Sequence, residues 1–203
     1  MEHVERLGPY SYTWDEACFP LTGDSVALAA FCALKKGWRI CDLGCGAGAL
    51  MALLLGREAA IEVSGVELDA HAAELARHNL PGVPVTCGDL TRRADLPSVG
   101  NCDLVISNPP YFAAGSGGNG GRARMEQTCT VEALCESAGY LLKNGGRFAL
   151  CYRPERLCDL ICALRAAGLE PKRVKLLSCP GKAPSVVLLE AVKRGRPGLQ
   201  IEP

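Results

Sequence analysis

Asn108-Pro109-Pro110-Tyr111 follows directly on the largely apolar run Cys102-Asp103-Leu104-Val105-Ile106 and opens a long loop. This places the four residues at the exposed end of a buried strand. Asn108 offers a side-chain carbonyl acceptor, and the proline after it removes a backbone donor and fixes φ, so the strand tip presents mostly carbonyl oxygen. Tyr111 adds a flat, stackable ring. Acceptors beside an aromatic face suit a planar substrate bearing an NH2 group, such as a nucleobase or an amide. A proline-rich turn that only ends a strand is the competing reading of these residues taken alone.

A second constellation lies upstream. Asp42-Leu43-Gly44-Cys45-Gly46-Ala47-Gly48 stands between a short apolar strand and a helical run, and Glu67 follows 19 positions after Gly48. Strand, glycine loop, helix and a later acidic residue fit two ligand classes, dinucleotides and S-adenosylmethionine. Asp42 separates them, because a carboxylate at the mouth of the loop repels a pyrophosphate. The same carboxylate favours a ligand with a cationic amine and a sulfonium. The Gly-x-Gly-x-Gly spacing also departs from Gly-x-Gly-x-x-Gly. With S-adenosylmethionine as the expected cofactor, Gly44, Gly46 and Gly48 allow close backbone approach and Asp42 orients the methionyl end. Glu67 holds the ribose hydroxyls, Asp89 and Leu90 meet the adenine, and Asn108 borders the cofactor as well as the substrate.

These residues need a scaffold. At 203 residues the chain suffices for one α/β domain with a full core. Residues 1–36 read as an aromatic, irregular arm followed by a helix, and residues 37–203 as the main domain. Strands are expected at 38–41, 61–67, 83–87, 102–107, 147–152, 173–178 and 185–192, with helices after the first and second, between the fourth and fifth and before the sixth, and a polar connection between the third and fourth. Pro180-Gly181 separates the last two runs so tightly that they must form an antiparallel hairpin. The result is a doubly wound, mostly parallel seven-stranded sheet with an antiparallel C-terminal hairpin. Asp42, Glu67, Asp89 and Asn108 all fall at carboxyl ends of strands, where ligands of such sheets bind. Residues 113–121 carry five glycines and read as a lid.

Charge is balanced overall, with 22 basic and 22 acidic residues, but residues 143–203 hold 12 Lys/Arg against 5 Asp/Glu. That asymmetry points weakly to a polyanionic partner. Lys172, Arg173 and Lys175, with Arg122 and Arg124 of the glycine-rich loop, are the candidate phosphate contacts. Twelve cysteines without a signal peptide or a Cys-x-x-Cys pair suggest reduced, mostly buried thiols and a cytoplasmic protein. Cys158 and Cys162 share a helix face, a common core pattern. His71, Glu74 and His78 on adjacent helical turns read as an exposed polar face, and no metal is expected. No run is long and apolar enough to span a bilayer, and no obligate protein partner is evident.

The three motifs, Asp42 to Gly48, Val66-Glu67-Leu68-Asp69 and Asn108 to Tyr111, resemble those of class I methyltransferases that act on amino groups of bases and amides. Tyr152-Arg153-Pro154-Glu155-Arg156-Leu157, Pro171-Lys172-Arg173, Gly181-Lys182-Ala183-Pro184 and Gly195-Arg196-Pro197-Gly198-Leu199 narrow the resemblance. It is then to the bacterial adenine-N6 methyltransferases of a valine tRNA anticodon loop. The resemblance implies a Rossmann-like fold, catalysis by Asn108, Pro109 and Tyr111, and a tRNA substrate. A Gly-Thr-Asp stretch usual in that family appears here as Thr22-Gly23-Asp24, with Pro20 where a lysine is expected. A glutamine-N5 methyltransferase of release factors shares the Asn-Pro-Pro-Tyr motif but carries a sizeable helical domain before the core. Only 37 residues precede Trp38 here, which favours the nucleobase. A guanine-N2 rRNA methyltransferase and a catalytically silent cofactor- or RNA-binding module complete the alternatives.

Overall fold

A computed structural model describes residues 2–18, 20–109, 129–178 and 181–203. Tyr111, the glycine-rich loop and its Arg122 and Arg124 lie outside the described residues. The chain enters as a hairpin, β1 (Glu2–Leu7) and β2 (Tyr10–Asp15), so the irregular arm is a two-stranded antiparallel unit. Helix α1 (Gly23–Phe31) begins where the hydroxyl of Thr22 accepts the Ser25 N–H. There follow β3 (Arg39–Leu43), α2 (Ala49–Arg57), β4 (Glu62–Glu67), α3 (Ala70–Asn79), β5 (Val85–Cys87) and β6 (Cys102–Ser107). After the glycine-rich segment come α4 (Val131–Leu141), β7 (Leu142–Tyr152), α5 (Leu157–Ala166), β8 (Leu169–Leu177), β9 (Val186–Lys193) and β10 (Gln200–Glu202).

The main sheet runs β10-β8-β9-β7-β6-β3-β4-β5. Strand β9 is antiparallel to both β7 and β8, as the short connection requires. Strand β10 makes the sheet eight-stranded rather than seven, pairing in parallel with β8 through Ile201 and Val174. Three residues after Pro197-Gly198 carry too little alternation for a sequence pattern to reveal them.

Along β3 and β6 successive side chains alternate between two cores. Ile40, Leu104 and Ile106 join the core lined by α1, α2 and the hairpin, whereas Cys41, Leu43 and Val105 join the one lined by α4 and α5. From β3 the chain builds β4 and β5 to one side, then returns to place β6 and β7 on the other. The strand order therefore reverses between β3 and β6, and a ligand crevice is expected outside their carboxyl ends.

Asn79, the last residue of α3, ties the hairpin to the glycine loop. Its Oδ1 accepts the Thr13 N–H at 2.8 Å, and its Nδ2 donates to the carbonyls of Thr13 (2.8 Å) and Ala47 (2.9 Å). The hairpin thus packs on α2 and α3 and braces the loop from behind.

Candidate active site

Asp42 is the next-to-last residue of β3, and both of its carboxylate oxygens are buried without a hydrogen-bond partner among the described residues. Burial, and secondarily the charge of Glu67, pushes its pKa well above the ordinary carboxylate value. Removing a carboxylate from water costs several kcal/mol even after the surroundings relax, on the order of what a whole domain can spare. Such a group calls for a cation or a proton.

Glu67 at the end of β4 is likewise buried, but each oxygen has a backbone partner. Oε2 accepts the Gly46 N–H at 2.8 Å and Oε1 accepts the Asp69 N–H at 2.9 Å. Burial raises its pKa, and these N–H groups oppose the rise. Glu67 therefore joins the glycine loop to the start of α3 while keeping lone pairs for a further donor.

The three glycines of the loop divide by role. Gly44 and Gly46 have φ of +77° and +53°, and a Cβ at either would meet no atom within 4 Å. They leave open space for a ligand against the backbone. Gly48, at φ +91°, would bring a Cβ to 3.3 Å from Leu80 Cδ1, so it serves the seating of α2 on α3 rather than ligand approach.

Asp89 lies just past β5. Its Oδ1 accepts both the Thr91 N–H (2.8 Å) and the Thr91 hydroxyl (2.7 Å), which closes a local turn and leaves Oδ2 as its remaining oxygen. The Leu90 carbonyl accepts the Ser137 hydroxyl of α4, and its side chain packs on the α4 core.

Asn108 stands two residues beyond Ile106, the register partner of Asp42. The buried Ser107 hydroxyl donates to the Leu43 carbonyl at 2.7 Å, which fixes the tip of β6 beside that of β3. Asn108 is half-buried and Pro109 is buried. The Asn108 Nδ2 donates to Ser25 Oγ at 2.9 Å. In the sequence, Thr22-Gly23-Asp24 stands only as the counterpart of the Gly-Thr-Asp stretch noted above. Nothing in the spacing indicated that α1 would bring Ser25 against Asn108.

The candidate phosphate contacts fare unequally. Arg173 bonds Glu202 Oε1 at 2.6 Å and Glu190 Oε2 at 3.3 Å, and lies over the Phe31 ring. Glu190 is fully buried and also pairs with Arg147. Arg173 is thus engaged inside the sheet, contrary to the expectation of a free phosphate ligand. Lys172 donates to the Arg196 carbonyl and Lys175 faces Glu202 in register, both half-exposed on β8. Strand β8 lies three spacings, roughly 14 Å, from β6. Arg173→Ala is expected to lower unfolding free energy by about 1–3 kcal/mol, the cost of leaving a buried acceptor short of a donor. It should leave the salt slope of RNA binding unchanged. Urea melts and a salt titration read the two separately, and a flattened slope would return Arg173 to the phosphate contacts.

His71 bonds Asp15 at 2.6 Å, and although Asp15, Cys18 and His71 bring ligand atoms within 4.8 Å of one another, Asp15 also takes up the Cys18 thiol as a hydrogen-bond partner. Glu74 and His78 stay on the exposed face. Most described thiols are buried and all are free, but Cys158 and Cys162 are exposed, so their shared face is not core as their spacing suggested. The first turn of α5 follows a short 3-10 segment, Pro154–Arg156, and presents the Leu160, Ala163 and Leu164 face inward instead.

An orphaned buried carboxylate, a second carboxylate on the neighbouring strand, and open backbone between them fit a cationic ligand without phosphate. S-adenosylmethionine meets these demands and a dinucleotide does not. No helix among the described residues is long and apolar enough to cross a membrane.

Comparison with known proteins agrees. The model of the methyltransferase small domain matches residues 23–158. A tRNA1(Val) (adenine(37)-N6)-methyltransferase of Dickeya chrysanthemi is 32% identical over 89% of this chain and 75% of its own length. The enzyme of the same description from Tolumonas auensis is 31% identical over 90% and 83%. Among solved structures, a predicted O-methyltransferase from Agrobacterium tumefaciens superposes with a TM-score of 0.71 at 25% identity, covering 88% of this chain and 84% of that one. The chain belongs to the methyltransferase small domain family and is a class I S-adenosylmethionine-dependent methyltransferase.

Proposed function

We propose that the protein transfers a methyl group from S-adenosylmethionine to the N6 amino group of an adenine in a tRNA anticodon loop. The observation that carries this reading is the placement of Asn108 and Pro109 beside Asp42 at the reversal of strand order. The relatives named above, matched over most of their length, act on that atom of a tRNA.

An exocyclic adenine nitrogen is a poor nucleophile because its lone pair is delocalised into the ring. Asn108 Oδ1 and the Pro109 carbonyl each accept one N–H, drawing the nitrogen toward a tetrahedral geometry in which the lone pair is available. No strong base is needed before transfer, because the proton can leave afterwards. Tyr111 stacks on the base, worth about 1–3 kcal/mol by comparison with single-strand binding. Asp42 would hold the cationic amine of the cofactor, Glu67 the ribose hydroxyls, and Asp89 with Leu90 the adenine. When bound, the cofactor supplies an electrophilic methyl on its sulfonium. Holding the two reactants in line could account for up to roughly 7–11 kcal/mol of the barrier.

A base treated in this way must leave its stack, which costs least in a single-stranded loop. Lys172, Lys175, Arg122 and Arg124 remain the proposed phosphate contacts, and a tRNA-modifying enzyme is expected in the cytoplasm. The test is to methylate total RNA with labelled cofactor, digest it and identify the nucleoside. Labelled N6-methyladenosine is the expected product. Label recovered as N5-methylglutamine from release factor, with none in adenosine, would overturn the reading in favour of the amide enzyme.

A further inference from the structure

Resting on the reading above, we infer that Ser25 is a positioning residue that holds the Asn108 amide with its Oδ1 toward the substrate amino group. An amide side chain has one acceptor end and one donor end, and only the acceptor end can receive a substrate N–H. Turned the other way, Asn108 would present NH2 to NH2, and neither group could accept. In this structure Nδ2 is committed to Ser25 Oγ at 2.9 Å, which assigns Oδ1 to the open side.

Ser25 is suited to hold that end. Ser25 is buried, at 6% exposure, so its side chain is held in place by the surrounding packing. It stands in the first turn of α1, where its own N–H is taken by the Thr22 carbonyl (3.1 Å) and hydroxyl (3.4 Å). The turn is anchored to the sheet on its other side, because the Cys151 thiol on β7 donates to the Asp24 carbonyl at 3.5 Å. The stretch Thr22 to Ser25 therefore does more than start a helix. It carries a hydroxyl from the first described helix to the tip of β6, 83 residues away in sequence, and holds it there. A substrate that must be turned into line with a methyl donor tolerates little wandering of its acceptors, so fixing the amide acts on turnover more than on binding.

The test is a double-mutant cycle on the full chain with Ser25→Ala, Ser25→Thr and Asn108→Ala, using whichever acceptor the wild-type protein methylates. The cycle is thus readable even if adenine proves to be the wrong acceptor, and failure of that reading stays separate from failure of this one. Ser25→Ala is expected to lower kcat about tenfold, the rate equivalent of one ordinary hydrogen bond, with cofactor Kd and substrate KM within about twofold of wild type. Ser25→Thr, which keeps the hydroxyl, should recover most of the loss. In the Asn108→Ala background, Ser25→Ala should cost almost nothing more, because the group it positions is gone. A further tenfold loss in that background, or a loss carried by KM or by a lower melting temperature and not rescued by threonine, would show that Ser25 only packs α1 and would overturn the inference.

Discussion

Asn108→Ala is expected to lower turnover by about 10²-fold or more, the usual effect of deleting one hydrogen-bonding group that acts in the transition state. The alanine removes one of the two acceptors proposed to draw the substrate nitrogen out of conjugation, and leaves the Pro109 carbonyl to act alone. Cofactor affinity should fall far less than turnover, because the other proposed cofactor contacts stand on β3, β4 and the turn after β5. The fold should survive, since Asn108 is half-buried and its Ser25 contact lies at the edge of the core. Single-turnover rates with saturating cofactor, together with calorimetric cofactor titration, read both quantities. Near wild-type turnover in the variant with cofactor bound would mean that Asn108 Oδ1 is not an acceptor for the reacting amino group.

Asp42→Asn is expected to act in opposite directions on binding and on stability. The carboxylate is buried with no hydrogen-bond partner among the described residues, so in the free protein its ionised form is a burden that protonation or a bound cation relieves. Removing the charge should weaken cofactor binding by about 2–5 kcal/mol, the range found when one member of a buried charge pair is truncated. The same change should stabilise the free protein at neutral pH. A carboxyl whose folded pKa is raised above its unfolded value, about 3.9, contributes stability that is fully present below the unfolded value. That contribution is lost as pH rises through the folded value. Asparagine has no such loss, so the stability advantage of the variant should grow with pH across that window.

The linkage also predicts that cofactor binds wild type more tightly as pH rises through the raised Asp42 pKa, with proton release on binding, and that Asp42→Asn abolishes this dependence. Urea melts and titration calorimetry in buffers of different ionisation enthalpy test both limbs. An Asp42→Asn protein less stable than wild type at pH 8 would mean that the carboxylate already has a partner inside the chain.

The sequence by itself determined those parts of the protein whose physics is local. Alternating strands and helices dictate a parallel, doubly wound sheet, and the brief Pro180-Gly181 connection dictates the antiparallel end, whatever the packing. A glycine loop after an aspartate excludes a pyrophosphate before any coordinate is known. Asn108-Pro109 carries its acceptor chemistry in its own bonds. The element ends shift by a residue or two, as with the first strand of the main sheet, expected at 38–41 and found at Arg39–Leu43.

What only the tertiary structure decided depends on contacts between distant segments. That Asp42 has no hydrogen-bond partner among the described residues, while Glu67 is shared by Gly46 and Asp69, follows from how β3, β4 and the loop dock. That Gly48 seats one helix on another, while Gly44 and Gly46 face open space, is invisible in a repeat of three identical residues. Arg173 and Lys172 are neighbours in a basic run, yet strand alternation sends one to the buried Glu190 and the other to the surface. Ser25 carries no signal of its own in the sequence, and only when α1 is laid against β6 does its hydroxyl meet the Asn108 amide. In each case residue type fixes what a side chain can donate or accept, and the fold fixes whether anything is there to meet it.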